Sequence, residues 1–303
     1  MAVPIALGVL GTAIPGPAHA DGSANGNVTA APPNDLGNMK EEVLRLPFDT
    51  SPGSITLQTT LFEPTSGGRH PLVLMSHGTP RSSEGLLRMS RWRPVAQARW
   101  FVERGFVVAI PMRRGYAMST GTFSESYGSC DAPDFVGAGR ASAMDLKAAI
   151  TALSARADID TSKTILLGHS GGGFASLALG SESLPGVVGI LNFAGGRGSV
   201  MSGAVCSPDR MASAMQTFGS TTKVPSLWLY AKNDTAFSPF IAKMYFNAFG
   251  GEKQHAHFVE LPAFKSDGHQ VITEADGMAL WTGPAQKFLD QLKIGAAPQA
   301  QSK

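Results

Sequence analysis

Gly168-His169-Ser170-Gly171-Gly172 is the stretch whose reading decides the fold. The apolar run Thr164-Ile165-Leu166-Leu167 precedes it, and a helix-like run, Phe174-Ala175-Ser176-Leu177-Ala178-Leu179, follows. The order is strand, sharp turn, helix, with a serine at the turn. Gly-x-Ser-x-Gly in that setting predicts a nucleophile elbow, whose strained turn lifts the serine hydroxyl clear of a sheet. The neighbours must be small. Gly168 and Gly172 let strand and helix approach, and the Gly171 amide points where an oxyanion would form. The pentapeptide alone also arises by chance, and Gly171-Gly172-Gly173 would serve as a plain flexible turn. The reading therefore depends on partners following in the right order.

A triad on such an elbow runs Ser, then Asp or Glu, then His along the chain. Downstream, Val224-Pro225-Ser226-Leu227-Trp228-Leu229-Tyr230-Ala231 reads as a buried strand ending in Lys232-Asn233-Asp234. Asp234 thus sits just past the carboxyl end of a strand, where ligands and catalytic groups collect in open parallel sheets. An Asn-Asp turn is the ordinary alternative. Three histidines follow. His255 and His257 fall in His255-Ala256-His257-Phe258-Val259-Glu260-Leu261, which reads as a strand. His269 follows in the loop Lys265-Ser266-Asp267-Gly268-His269, before a helix that begins near Thr273-Glu274. That loop is where a base must come from to reach Ser170. Asp267 is the rival acid, but two residues from His269 it is better suited to shaping the turn.

The chemistry needs each type. A serine hydroxyl is a weak nucleophile until an imidazole takes its proton. A carboxylate fixes the imidazole tautomer and stabilises the imidazolium. The tetrahedral intermediate needs preorganised donors. The strand candidate Pro71-Leu72-Val73-Leu74-Met75-Ser76 runs into His77-Gly78-Thr79-Pro80. The Thr79 amide is the expected second oxyanion donor beside Gly171, and His77 is expected to brace the loop.

With these motifs in order, the chain resembles the α/β-hydrolase superfamily from about residue 41 to 292. Within it, the chain is most similar to bacterial proteins of the dienelactone-hydrolase and prolyl-oligopeptidase-like group. Arg113-Arg114-Gly115-Tyr116, followed by Ser119-Thr120-Gly121, is similar to the Arg-Gly-x-Gly-x-Ser stretch found there after the fourth strand. Ala117 departs from it where glycine is usual. Ser170 departs from true dienelactone hydrolases, which use cysteine. The resemblance implies ester or amide hydrolysis through an acyl-enzyme, with Ser170, Asp234 and His269 as the triad and Gly171 and Thr79 as oxyanion donors. No metal or cofactor is implied.

Composition bounds the rest. The 303 residues carry 25 basic and 23 acidic side chains, a net charge of +2, which offers no basic stripe for nucleic acid. The cluster Arg88, Arg91 and Arg93 around Trp92 and Trp100 fits one solvated amphipathic helix. Residues 1–20 lack any charged side chain, contain the apolar run 3–9 and end in Ala18-His19-Ala20, a small-x-small cleavage signature, although the positive start is missing. They read as a signal peptide for export. The run is too short to span a membrane. Cys130 and Cys206, the two cysteines present, match no metal spacing. In an exported chain they predict one disulfide between two rim loops.

Residues 21–40 read as a flexible arm and 294–303 as a disordered tail. Between them lie two alternating edge strands, 42–48 and 55–62, and then a βα rhythm. It has strands at 71–76, 106–110, 164–168, 186–193, 224–231 and 256–261. Helices are expected near 91–104, 138–156, after Ser170, 238–249 and 275–292. This predicts a single α/β domain, a mostly parallel eight-stranded sheet with helices on both faces. Only about thirty residues separate Phe193 from Val224, with one helical patch at 209–218, so little or no cap is expected. The rim loop 112–136 is the other wall, with Tyr116, Phe123, Tyr127 and Phe135 as lining candidates. Two rival readings stand beside a small-molecule or polymer esterase. One is a prolyl-oligopeptidase-type peptidase, which lacks room here for the usual amino-terminal propeller. The other is a non-catalytic binding protein of the same fold.

Overall fold

Every central strand carries apolar side chains at both parities, which dictates a sheet covered on both faces. In β3 (His70–Ser76), Leu72 and Leu74 enter one buried cluster while Val73 and Met75 enter the other. In β9 (Ser226–Ala231), Trp228 and Tyr230 face the first cluster and Leu227, Leu229 and Ala231 the second. The computed structural model describes residues 36–295, except 38, 51 and 52, together with Met1. The expected signal segment, most of the arm and residues 296–303 lie outside the described residues, apart from Met1.

The main sheet has eight strands in the order β1-β2-β4-β3-β5-β6-β9-β10. β1 (Met39–Asp49) pairs antiparallel with β2 (Ser54–Pro64), and β2 antiparallel with β4 (Val107–Pro111). The remaining pairings, through β5 (Ile159–His169), β6 (Val187–Phe193), β9 and β10 (Ala256–Leu261), are parallel. Residues of α3 (Phe135–Leu153), α4 (Gly171–Gly180), α5 (Pro208–Gly219) and α6 (Pro239–Phe249) join one buried cluster. Those of α2 (Val95–Val102) and α7 (Met278–Leu292) join the other. This is the expected mostly parallel, doubly covered sheet.

The structure departs from the expected layout at several local points. The helix expected over 91–104 is shortened to α2, and a separate short helix, α1 (Ser83–Arg88), precedes it across residues 89–94. Pro94 disfavours helical angles at Arg93. Arg88, Arg91 and Arg93 therefore do not share a helix face. Arg91 and Arg93 both clasp the half-buried carboxylate of Glu41 on β1, fastening the edge strand. His255 lies outside the strand, at positive φ (53°) just ahead of β10. Met39 and Lys40, expected in the arm, belong to β1, and Ile294, expected in the tail, is buried. A small hairpin, β7 (Ser199–Met201) and β8 (Ala204–Val205), was not expected and occupies the loop after β6. With α5 it is all that stands between β6 and β9, so no large cap is present.

Candidate active site

Ser170 is the residue between β5 and α4, and its backbone is held at φ 55°, ψ −121°, a region costly for a side-chain-bearing residue. Three bonds hold it there. Its amide donates to the Phe193 carbonyl (2.9 Å), and its own carbonyl accepts from the amides of Phe174 (3.0 Å) and Gly196 (3.1 Å). The tight approach explains the glycines. A Cβ on Gly168 would come within 2.1 Å of the Gly172 carbonyl oxygen, and one on Gly172 within 2.1 Å of the Ser76 carbonyl oxygen. This is the strained strand–turn–helix geometry that the pentapeptide predicts.

Asp234 follows β9 and is buried, its Oδ1 accepting from the amides of Ala236 (2.8 Å) and Phe237 (2.8 Å). His269 Nδ1 reaches both carboxylate oxygens, Oδ1 at 3.1 Å and Oδ2 at 3.0 Å. A carboxylate so held accepts, so Nδ1 carries the hydrogen and Nε2 is left as the basic nitrogen. Asp267, the rival acid, shapes the turn: its Oδ1 accepts from the amides of His269 (2.9 Å) and Thr235 (3.1 Å), tying the histidine loop to the aspartate loop. Burial alone would raise its carboxyl, but the hydrogen bonds from His269 and Thr235 together hold it below the ordinary range. Ser170, Gly171, Thr79 and His269 line one cavity of about 760 Å³ at the carboxyl end of the sheet. No direct hydrogen bond joins Ser170 to His269 among the described contacts. His257 is exposed on β10 and does not line this cavity.

His169, between Gly168 and Ser170, is buried and donates from Nε2 to the backbone carbonyl of His269 (2.9 Å). Burial, with the neighbouring His269 ring, pushes its pKa down to about 3. His77 is likewise buried, and burial followed by the Arg113 charge holds it well below the usual histidine range. It braces the loop 77–80: Nδ1 donates to the Gly78 carbonyl (2.7 Å) and Nε2 accepts from the Arg113 amide (3.1 Å).

These two neutral histidines make a stability prediction. Unfolding lets both titrate near 6.5, whereas the folded values are lower. Between those values the unfolded chain binds more protons, so stability is full above about pH 6.5 and is lost as pH falls. The urea midpoint is expected to drop from pH 7.5 to 4.5. His169→Gln is expected to flatten that slope, by about 1.4 kcal/mol for each unit of pKa displacement removed. Parallel slopes in wild type and variant would contradict the buried neutral state of His169.

A buried ion cluster that no sequence motif announces stands on the cavity wall. Arg113 Nε donates to Glu125 Oε1 (2.9 Å), Arg197 pairs with Glu125 Oε2, and Ser142 Oγ donates to the same oxygen (2.5 Å). Arg113, Glu125 and Arg197 are each 5% exposed or less. Burial lowers the Arg197 pKa to about 10, which leaves it charged at neutral pH. The available signal was that Arg197 is the only charged residue in the Gly-rich loop 194–203. Among the rim aromatics, Phe123 and Tyr127 line the cavity, whereas Phe135 packs in the core and Tyr116 is fully buried against His77. Residues 80–89, including α1, form a further wall that the sequence did not suggest.

Cys130 and Cys206 form a disulfide, with Cα atoms 5.2 Å apart. It ties the loop that carries Glu125 and Tyr127 to the one that carries Arg197. Thiol titration of denatured, unreduced protein is expected to find no free sulfhydryl, and two would contradict the bridge. With the cysteines 76 positions apart, loop-closure entropy assigns the bridge on the order of 4 kcal/mol. A large drop in thermal midpoint on reduction should follow.

No group of three or more metal-ligating side chains occurs among the described residues, and no described helix is long and apolar enough to cross a membrane.

No family model and no curated protein matches the chain. Solved structures do. An esterase from Pyrococcus furiosus, Pf2001, superposes with a TM-score of 0.56 at 15% identity, over 82% of this chain and 92% of that one. A Klebsiella pneumoniae protein described as a dienelactone hydrolase gives 0.56 at 13% identity, over 84% and 98%. Acetyl xylan esterase 1 from Thermoanaerobacterium sp. JW/SL YS485 gives 0.52 at 14% identity, over 85% and 90%. At such identities the likeness is one of fold: the chain has the α/β-hydrolase fold and resembles the dienelactone hydrolase group.

Proposed function

We propose that this protein is a serine hydrolase that cleaves carboxylic esters through an acyl-enzyme. The observation that carries the reading is the buried Asp234–His269 pair at 3.0 Å, on the same cavity as the strained Ser170. Ser170 Oγ attacks the ester carbonyl carbon while His269 Nε2 takes its proton. The carbonyl oxygen becomes an oxyanion facing the amides of Gly171 and Thr79. Collapse expels the alcohol, which receives the proton from His269. Water, activated by the same nitrogen, then attacks the acyl-serine, and the acid leaves as Ser170 regains its proton. Asp234 keeps the proton on Nδ1 throughout and stabilises the imidazolium in each half. No cofactor enters these steps.

The names of the structural neighbours, esterases among them, favour ester over peptide substrates. The cavity, about 760 Å³, lies within the range of small-molecule sites. A disulfide fits an oxidising compartment and agrees with export after removal of residues 1–20. Turnover of p-nitrophenyl esters from acetate to long acyl chains tests the proposal. Hydrolysis with a clear chain-length optimum is expected. A folded wild-type protein inert toward every member, but active on aminoacyl anilides, would replace the esterase by the peptidase.

A further inference from the structure

Thr79 offers the site a side-chain hydroxyl as well as a backbone amide. Its side chain is unusually constrained. Thr79 Oγ1 accepts from the Tyr116 hydroxyl (3.0 Å) and from Arg113 Nη2 (3.3 Å). A hydroxyl oxygen has two lone pairs and one hydrogen. With both lone pairs occupied, the hydrogen has one tetrahedral direction left, away from Tyr116 and Arg113.

The two donors are themselves fixed. Arg113 Nη1 donates to Ser76 Oγ (2.8 Å) and to the His77 carbonyl (2.8 Å), and its Nε is held by Glu125 (2.9 Å). Tyr116 is fully buried, its ring edge-on to His77 at 4.5 Å. Neither side chain can swing away to release a lone pair. Thr79, in contrast, is only half-buried and lines the cavity with Ser170 and Gly171. Its hydroxyl also lies against the elbow. A Cβ on Gly171 would come within 2.3 Å of Thr79 Oγ1 and 3.3 Å of the Thr79 amide nitrogen. Hydroxyl and amide of Thr79 therefore approach the same side of Gly171, whose own amide is the other expected donor.

We infer that the Thr79 side-chain hydroxyl is a catalytic residue, a third hydrogen-bond donor to the oxyanion, pre-aimed by Tyr116 and Arg113. It transfers no proton. It donates a hydrogen bond as the carbonyl oxygen gains charge on attack by Ser170, and it relaxes when the carbonyl reforms. The two buried donors remove the rotational freedom that would otherwise weaken a hydroxyl in this role. The inference rests on the serine-hydrolase reading above.

Thr79→Val removes the hydroxyl at nearly constant shape and keeps the backbone amide. Loss of one oxyanion donor should lower kcat by about 100-fold, with KM within about threefold of wild type. Thr79→Ser keeps a hydroxyl on the same partners and should restore kcat to within about tenfold. A trifluoromethyl ketone, which forms an oxyanionic hemiketal with the serine, should lose affinity for Thr79→Val in parallel with kcat. An unreactive ketone of the same size should not. A merely structural threonine would move both ketones, or neither. If Thr79→Val does not fold, Tyr116→Phe carries the test. Freeing one lone pair lets the hydroxyl turn, and kcat should fall several-fold at unchanged KM. Wild-type kcat in Thr79→Val, or in Tyr116→Phe where the first variant does not fold, would overturn the inference and leave the esterase reading intact, provided Ser170→Ala is inactive. An active Ser170→Ala would remove that reading itself.

Discussion

Ser170→Ala is expected to lower kcat for ester hydrolysis by on the order of 10⁴- to 10⁶-fold, the scale set by removal of a hydrolase nucleophile. Folding should be unaffected or slightly improved. Ser170 sits at φ 55°, ψ −121°, where alanine is no more strained than serine, and its three backbone bonds do not involve the side chain. The turn, the amides of Gly171 and Thr79 and the Asp234–His269 pair all remain. The loss should therefore appear in kcat with an unchanged thermal midpoint. Activity within tenfold of wild type would remove the nucleophile assignment.

Asp234→Asn is expected to be nearly as damaging, at about 10⁴-fold in kcat. The reason is a tautomer. Oδ1 of Asp234 accepts from the amides of Ala236 and Phe237, both at 2.8 Å, so an asparagine would place its carbonyl oxygen there. Its NH₂ group would then face His269 Nδ1, which now meets Oδ2 at 3.0 Å. Oδ1 also lies 3.1 Å from Nδ1 but is already taken by the two amides, so Nδ1, facing the NH₂ donor, accepts and the ring hydrogen moves to Nε2. The nitrogen that should take the serine proton then carries one already. The defect should be greatest near neutral pH and should leave KM almost unaltered. A variant whose kcat falls less than tenfold would show that Asp234 does not set the tautomer.

The sheet was legible because its chemistry is local. A strand buried on both faces must be apolar throughout, so the runs at 71–76, 164–168 and 224–231 stand out without a tertiary argument. The elbow was legible for the same reason, since a strained serine between a strand and a helix needs glycines close by. The order of Asp234 and His269 could be read because each follows a strand whose carboxyl end faces the site. What was not legible depends on partners far away in sequence. Arg91 and Arg93 read as a helix face because nothing local announces that Glu41, fifty residues back, will claim them. Pro94 alone argued for the break. The cluster of Arg113, Glu125 and Arg197 unites two loops that only the closed fold brings together, and a charged residue in a polar loop ordinarily reads as solvated. The wall formed by residues 80–89 depends on how a short helix, none of whose residues is buried, settles over the cavity.

The central claim is that Ser170 is an activated nucleophile in the folded protein. A fluorophosphonate probe, followed by peptide mapping of the adduct, tests it without knowledge of the substrate. The account predicts one adduct per chain, on Ser170, formed by the folded protein, absent after denaturation and strongly slowed in Asp234→Asn. A folded protein that stays unmodified, or an adduct on any other residue, would contradict it.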